Sequence, residues 1–161
     1  MKISQLSLLH LSPNGPDTRM ETLYSIGEAA DILGVSVPTL RLYEREGLII
    51  PIRKKSRHRL YAQTDLERIR CLRKSINDDK VGIAGMRRML ALIPCWMIHE
   101  CKAPDREACP AFNDDQTPCW KVSPRPEPCG DADCRNCEVY NHVTDCTALK
   151  RTIAQYTIDK G

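Results

Sequence analysis

Cysteines dominate the chemistry that this sequence of 161 residues could perform. Eight of its nine cysteines fall within one stretch, at Cys95, Cys101, Cys109, Cys119, Cys129, Cys134, Cys137 and Cys146. Thiolates bind zinc and iron, and a pair of them can cycle with a disulfide. Seven of the eleven prolines lie in the same region, between positions 94 and 128. We predict that sulfur chemistry, rather than a large hydrophobic core, organises this part of the chain.

The cysteine spacing leaves three interpretations open. Cys134 and Cys137 form a Cys-x-x-Cys pair, which can place two thiolates on one metal ion or act as a redox couple. The eight clustered cysteines are therefore candidate ligands of structural zinc, candidate ligands of an iron–sulfur cluster, or a metal-free thiol–disulfide switch. Cys71 stands apart in the sequence, and we predict that it is a small buried or half-buried residue.

Charge divides the chain into two parts. Residues 21–93 carry 14 basic and nine acidic side chains, whereas residues 94–147 carry five basic and ten acidic ones. This asymmetry indicates two modules with different partners. No run approaches the roughly 18 apolar residues of a membrane span, so a membrane partner is not expected. Clustered cysteines without a recognisable signal peptide predict a cytoplasmic protein.

Local signals predict a helix-turn-helix near the start of the basic part. Ser25 and Glu28 have the spacing of a capping box at a helix start. Gly34 is placed to end that helix, and Ser36 to cap the next one. Two short helices joined by a glycine-containing turn form a helix-turn-helix. Arg41, near the start of the second helix, could contact a phosphate or a guanine edge.

A strongly basic tip follows, between two short apolar segments at 48–52 and 60–61. It holds five Arg or Lys in seven residues, 53–59. Two short strands joined by such a tip form a hairpin wing, whose side chains can straddle DNA phosphates. Apolar periodicity then predicts two more helices, one opening near Thr64 and one over about 82–93.

These residues resemble the winged-helix DNA-binding domain of MerR-type transcriptional regulators. The resemblance covers about residues 23–93 and rests on Thr-Leu-Arg-Leu-Tyr-Glu-Arg-Glu-Gly-Leu at 39–48 and Arg-Leu-Tyr at 59–61. It implies a homodimer on a pseudo-palindromic promoter operator in double-stranded DNA, and it admits RNA polymerase as a partner at that promoter. With the helix cap and the basic tip, the expected DNA-binding residues are Ser36, Thr39, Arg41, Tyr43, Arg53, Lys54, Lys55, Arg57, His58, Arg59 and Tyr61.

The chain departs from the family pattern at two places. The wing turn, which usually contains glycine in the family, has Ser56 and Arg57 here. The long helix that pairs two subunits in the family is interrupted at once by Pro94 and Cys95. A terminal amphipathic helix predicted over 142–158 is the expected substitute for dimerisation, and it carries the last candidate ligand. The cysteine-rich part itself resembles the two-CW domains of anaerobic bacteria, through Cys-Pro-Ala at 109–111 and the Cys-x-x-Cys pair.

The sequence therefore predicts a mainly α protein with four parts. These are a disordered tail over 1–22, a winged helix-turn-helix domain of four helices over 23–93, a loop-rich cysteine module over 94–141 and the helix over 142–158. We expect a transcriptional regulator, not an enzyme, whose module binds zinc or an iron–sulfur cluster and senses metal or redox state. One alternative is a DNA-binding protein with purely structural zinc, and another is a small redox protein using the Cys-x-x-Cys pair or a cluster. Glycine-rich phosphate loops and hydrolase motifs are absent from the sequence.

Overall fold

The structure, a computed structural model, describes residues 22–99, 101–127, 129–130, 132–142 and 151. Almost all of the predicted tail over 1–22 and of the predicted helix over 142–158 lies outside these residues, as does Cys146. Within them the protein is mainly helical with one small sheet, as predicted. None of the helices in this described part is long and apolar enough to cross a membrane.

Helices α1 (Ile26–Leu33) and α2 (Val37–Arg45) form the predicted helix-turn-helix. Ser25 caps α1: its hydroxyl accepts from the Glu28 N–H at 3.3 Å, and the Glu28 carboxylate accepts from the Ser25 N–H at 2.7 Å. Gly34 ends the helix in the left-handed conformation, at φ 60°. Ser36 caps α2 by accepting from the Thr39 N–H at 3.2 Å. The capping residues in the sequence therefore predicted the starts of both helices correctly.

The wing belongs to a three-stranded antiparallel sheet of β1 (Tyr24–Ser25), β2 (Ile52–Arg53) and β3 (Arg59–Tyr61), in the order β1-β3-β2. Strand β1 was not predicted, and it pairs Tyr24 with Tyr61. Strands β2 and β3 form the hairpin, with Arg53 opposite Arg59. We call this hairpin and its connecting tip the wing. Strand β2 begins later than the predicted segment at 48–52, because Leu48 and Ile49 are buried in the core ahead of it.

The wing turn places a non-glycine residue in a left-handed conformation. Arg57 has φ 60°, and its N–H donates to the Lys54 carbonyl at 2.9 Å, which closes the turn. The left-handed region brings Cβ close to the following carbonyl, which is unfavourable for residues other than glycine. The turn is therefore formed at the position where the family usually has glycine, with an exposed cation in its place.

Two longer helices complete the DNA-binding half. Helix α3 (Gln63–Asn77) begins one residue before the predicted Thr64, and the Asp65 carboxylate accepts from the Ala62 N–H at 2.8 Å. Helix α4 spans Ile83–Ala91, inside the predicted range. Their apolar faces join α1 and α2 around one core. Its fully buried side chains include Leu40, Leu48, Leu66 and Ile69.

Residues 95–142, called the cysteine segment below, contain short helices rather than loops alone. These are α5 (Cys95–Ile98), α6 (Ala103–Ala108), α7 (Pro110–Asn113) and α8 (Glu138–Asn141), with 3-10 turns at Cys119–Lys121 and Cys134–Asn136. The segment does not wrap around sulfur alone, because Trp120, Val139 and Tyr140 are buried in the same apolar cluster as the helix-turn-helix. The cluster is continuous across the predicted boundary at residue 94.

Two aromatic side chains anchor the cysteine segment to the loop that follows α2. The Trp120 indole N–H donates to the Gly47 carbonyl at 2.7 Å, and the Tyr140 hydroxyl accepts from the Ile50 N–H at 2.8 Å. The two rings meet edge to face, with centroids 5.2 Å apart. Arg68 of α3 lies over the Tyr140 ring, with its guanidinium carbon 3.7 Å from the centroid. The segment is thus held by hydrogen bonds between its side chains and the backbone of this loop, as well as by apolar packing.

Candidate nucleic-acid interface and cysteine cavities

The first turns of α2 present the polar side chains that were expected to contact DNA. Ser36 and Arg41 are exposed, and Thr39 is half-buried. The Ser36 and Thr39 hydroxyls lie 2.9 Å apart and share a hydrogen bond. The N-terminal part of a recognition helix is the part that meets base edges and phosphates. Helix α2 therefore presents these three side chains on the surface that a recognition helix uses to contact DNA.

Glu44 joins the recognition helix to the wing. Its carboxylate forms ion pairs with Arg53 of β2 and Arg59 of β3, one to each oxygen. The hydrogen bond that Arg59 donates to Glu44 raises the pKa of Arg59, and the carboxylate charge adds to the effect. Glu44 was not expected to have this role from the sequence, although its position on α2 directly ahead of the hairpin was available. Arg53 and Arg59, which were expected to contact phosphates, therefore also link the wing to α2.

The wing tip carries cations that point to solvent. Lys54, Lys55, Arg57 and His58 are all exposed, as the basic sequence of the tip predicts. Cations held near a duplex bind by displacing condensed counterions, whatever the base sequence. The tip therefore has the composition and exposure of an element that binds the DNA backbone.

Tyr43 and Tyr61, also expected to contact DNA, belong to the core instead. Tyr43 is 5% exposed and Tyr61 is 0% exposed. Burial raises the pKa of Tyr61 to about 12, and the nearby Glu44 charge adds to that shift. Because both rings are buried, we infer that these two positions support α2 and the wing, and their contact with DNA stays a prediction. Their positions in the family motif did not indicate that the two rings are packed in the core.

A groove of about 370 Å³ lies where α2, the wing and the cysteine segment meet. Its lining residues carry five cations and one carboxylate, and they are Arg41, Glu44, Arg45, Arg53, Arg59 and Lys121. We call it the cationic groove. Because Glu44 already accepts from two of the arginines, the groove has a clear excess of positive charge. Such a surface attracts polyanions.

Comparison with known proteins agrees with this geometry. Residues 25–61, from the cap of α1 to the end of β3, match the model of the MerR family regulatory proteins. Residues 25–61 form a MerR-family domain. The match ends before α3 and is shorter than the 23–93 expected from the sequence. No solved structure matches the chain significantly.

Three curated relatives match the region of the MerR-family domain, and two of them are named as transcriptional regulators. A protein described as heat shock protein HspR of Streptomyces coelicolor is 36% identical over 70 residues, which cover 44% of this chain and 46% of that protein. A protein described as a heavy metal-dependent transcriptional regulator of Haemophilus influenzae is 44% identical over 54 residues, 33% of this chain and 42% of that protein. The regulator HmrR of Sinorhizobium medicae is 36% identical over 69 residues, 42% and 46% of the two chains. The chain thus covers less than half the length of these three relatives.

In the cysteine segment, the cysteines line two adjoining cavities. One is lined by Cys95, Cys101, Cys109, Cys119 and Cys129. The other is lined by Cys119, Cys129, Cys134 and Cys137, together with His99. Cys119 and Cys129 face both cavities. The fold therefore collects all seven described cysteines of the 95–137 stretch, separated by up to 42 positions in sequence, into one region.

Hydrogen bonding and burial give these thiols different acidities. The Cys119 thiol donates to Cys95, which lowers the pKa of Cys95 and raises that of Cys119. Burial raises the pKa of Cys129 to about 11 and also raises that of Cys101. Among these four thiols, Cys95 is therefore the one that most readily forms a thiolate, the species that binds metals and attacks disulfides.

An imidazole, that of His99, and a guanidinium, that of Arg125, lie next to the Cys-x-x-Cys pair. The His99 ring nitrogen Nε2 lies 3.0 Å from Cys137 Sγ, and the Arg125 guanidinium donates to Cys134 Sγ. Burial is the largest single influence and lowers the pKa of Arg125, but the hydrogen bond to Cys134 and the electrostatic interactions with Cys134, Cys129 and Cys119 together outweigh it, so the pKa of Arg125 is raised. Neither residue was predicted as part of the site. The signal for His99 was its position one helical turn after Cys95.

The donor set is the kind that zinc or iron–sulfur clusters use, since it consists of thiols with one imidazole nearby. Among the described residues, however, no three Cys, His, Asp or Glu side chains stand close enough together to hold one metal ion. The contacts are pairwise instead, as between Cys95 and Cys119. Cys71 lies outside this group and is half-buried on α3, in agreement with the prediction.

Proposed function

We propose that this protein is a sequence-specific, DNA-binding transcriptional regulator of the cytoplasm, and not an enzyme. The observation that carries the proposal is the exposed Arg41 beside a cationic groove built jointly by α2 and the wing. The relatives of the MerR-family domain, which are named as regulators, support it. A promoter operator in double-stranded DNA is the proposed partner, with RNA polymerase acting at the same promoter.

The proposed division of labour follows from exposure. Arg41 and Thr39 on α2 read base edges, where a good bidentate contact discriminates by about 1–3 kcal/mol. The exposed wing cations bind phosphates and add affinity without discrimination. Arg53 and Arg59 hold the wing against α2 through Glu44 and offer their remaining donors to the backbone.

A pair of titrations tests the DNA-binding proposal. The wild-type chain first enriches a preferred duplex from a random-sequence pool, and Arg41→Ala and Lys54→Ala are then compared on that duplex and on random DNA. We expect Arg41→Ala to lose affinity mainly on the preferred duplex, and Lys54→Ala to lose it equally on both, with a salt slope lower by roughly 1. Failure of the wild-type chain to enrich any sequence would contradict the proposal.

We further propose that the cysteine segment binds a thiophilic metal, either zinc or an iron–sulfur cluster, and thereby senses metal or redox state. The proposed ligands are drawn from Cys95, Cys101, Cys109, Cys119, Cys129, Cys134, Cys137 and Cys146. The convergence of seven of them on two cavities supports this, and the bound group would supply a cross-link whose presence depends on metal supply or oxidation. Metal analysis and a visible spectrum of protein purified without oxygen test it. Broad absorption at about 400 nm indicates an iron–sulfur cluster, and a colourless protein that contains zinc indicates a zinc site. Protein that contains neither metal would contradict it.

A homodimer is proposed to present two MerR-family domains to the two halves of a palindromic operator. The proposed dimer contact is residues 142–158, since α4 ends at Ala91 and Pro94 precedes the short helix α5, so no long helix follows α4 directly. Sedimentation of the full chain and of a chain ending at residue 141 tests this assignment. A shortened chain that remains dimeric would place the contact elsewhere.

One observation favours a second candidate function, in which the cysteine segment is structural and senses nothing. Trp120, Val139 and Tyr140 lie in the common apolar cluster, so the segment has a packing reason to be present. The discriminating experiment is DNA binding before and after oxidation and re-reduction. Reversible loss of affinity supports sensing, and unchanged affinity with unchanged metal content supports the structural role.

A further inference from the structure

We propose that the cysteine segment takes part in DNA binding directly, by placing Lys121 in the cationic groove as an additional phosphate contact. The inference rests on the DNA-binding function proposed above and extends it. The groove is lined by residues of α2 and the wing together with Lys121, which lies 60 positions or more beyond them in the sequence. The cysteine segment therefore completes a surface that the MerR-family domain only begins.

The position of Lys121 is fixed by its neighbour. Trp120 is 9% exposed, and its indole N–H donates to the Gly47 carbonyl at 2.7 Å. The 3-10 turn that contains both residues, Cys119–Lys121, is short, so the buried indole sets the direction in which the next side chain leaves the backbone. Lys121 itself is exposed.

Gly47 shows how closely the Lys121 stem approaches the end of α2. A methyl group on Gly47 would lie 2.5 Å from Lys121 Cγ and 3.1 Å from its Cδ, well inside van der Waals contact. The Lys121 stem therefore crosses the backbone at Gly47, where there is no side chain in its way. A lysine stem that lies on the surface in this way keeps its ammonium group at the water-facing end.

Charge in the groove favours a phosphate for that ammonium group. Arg53 and Arg59 both pair with Glu44, so the one carboxylate of the groove is already neutralised. Among the described residues, neither Arg41 nor Lys121 forms an ion pair with an acidic side chain. Arg41 is the proposed base reader, and a cation beside it on the same face is placed to meet the adjoining backbone.

The test is a salt titration with a fluorescein-labelled random-sequence duplex, which needs no knowledge of the operator. Lys121→Met removes the charge but keeps the aliphatic stem over Gly47, so docking of the segment should persist. Each phosphate contact contributes about 0.9 to the slope of log affinity against log salt. Between 50 and 200 mM salt the wild type should therefore lose roughly 3.5-fold more affinity than Lys121→Met.

Two comparisons make the result decisive. Lys102→Met removes an exposed lysine of the same segment outside the groove, at the start of α6, and should leave the slope unchanged. Lys121→Arg should restore the wild-type slope. A Lys121→Met slope equal to that of the wild type, with Lys54→Ala still lowering it, would overturn the role of Lys121 alone. A wild-type chain that does not bind duplex DNA would overturn both this role and the proposed function.

Discussion

Arg135, inside the Cys-x-x-Cys pair, forms a bidentate ion pair with Asp65 of α3. Its two terminal nitrogens donate to the two carboxylate oxygens at 2.8 and 2.7 Å, and one of them also donates to the Ile50 carbonyl. The side chains are 17% and 4% exposed. Two cysteines that were predicted as ligands therefore flank the residue that ties their turn to the DNA-binding half.

Arg135→Ala is expected to lower the free energy of unfolding by about 3 kcal/mol, because it leaves the buried Asp65 charge without its partner. Urea denaturation measures the loss. The matched control is Arg88→Ala, which breaks an ion pair between α4 and Asp115 whose side chains are 55% and 52% exposed, and which should cost less than about 1 kcal/mol. Equal losses for the two variants would show that the buried pair does not anchor the segment.

Trp120→Phe is expected to destabilise the protein by about 1–2 kcal/mol while keeping an aromatic ring in the core. The loss arises because the Gly47 carbonyl is deprived of its donor in a buried position. Trp96→Phe serves for comparison, since Trp96 is half-buried and packs against Phe112 at 5.0 Å. Thermal denaturation followed by circular dichroism ranks the two variants. A larger loss for Trp96→Phe would contradict the importance assigned to the Gly47 hydrogen bond.

Arg57→Gly should separate stability from DNA affinity. Glycine adopts the observed φ of 60° without the steric cost that arginine bears, a gain of about 0.5–1 kcal/mol after allowance for the freedom of glycine in the unfolded chain. The same change removes a wing cation, so affinity for random DNA should fall. Ser56→Gly, at the neighbouring turn position, has no left-handed conformation to relieve and should not stabilise. Parallel denaturation and anisotropy titrations check the opposite signs.

Tyr61→Phe should stabilise the protein at neutral pH by about 1 kcal/mol, because the Tyr61 hydroxyl is buried and no group among the described residues pairs with it. Tyr140→Phe should destabilise instead, since it removes the acceptor of the Ile50 N–H. DNA affinity provides a second readout. Weaker DNA binding by Tyr61→Phe at unchanged stability would restore Tyr61 to the contact role that its burial argues against.

Stability at alkaline pH provides a further test of the burial of Tyr61. Its pKa rises from 10.0 to about 12 in the folded protein, so folding favours the neutral phenol. The resulting stability is complete below pH 10 and is lost as the pH rises from 10 towards 12. Tyr61→Phe should be less sensitive across that window than the wild type, and denaturation midpoints at several pH values measure the difference.

Local chemistry explains what could be predicted from the sequence. Ser25, Gly34 and Ser36 act through neighbours within a few residues, so their caps and the helix-turn-helix follow from spacing alone. The basic tip likewise shows its exposure in its composition. The bounds of α4 followed from apolar periodicity.

Contacts between distant residues explain what could not be predicted. Trp120 and Gly47 are separated by 73 positions, and Arg135 and Asp65 by 70, so no local period connects them. The aromatic residues of the cysteine-rich stretch were too few to suggest that they would enter the core of the other half. The burial of Tyr43 and Tyr61 was missed for the opposite reason, since membership of a DNA-binding motif does not distinguish an exposed contact from a buried support.

The hydrogen bonds at Gly47 and Ile50 also determine where this polypeptide can be shortened. A fragment ending at Ile93 would return the Gly47 carbonyl and both backbone groups of Ile50 to water, and would uncover the apolar surface beneath Trp120 and Tyr140. Exposed apolar patches of that kind promote association. The smallest fragment that keeps the recognition helix in its native surroundings therefore extends at least through Tyr140, although the family match stops at residue 61.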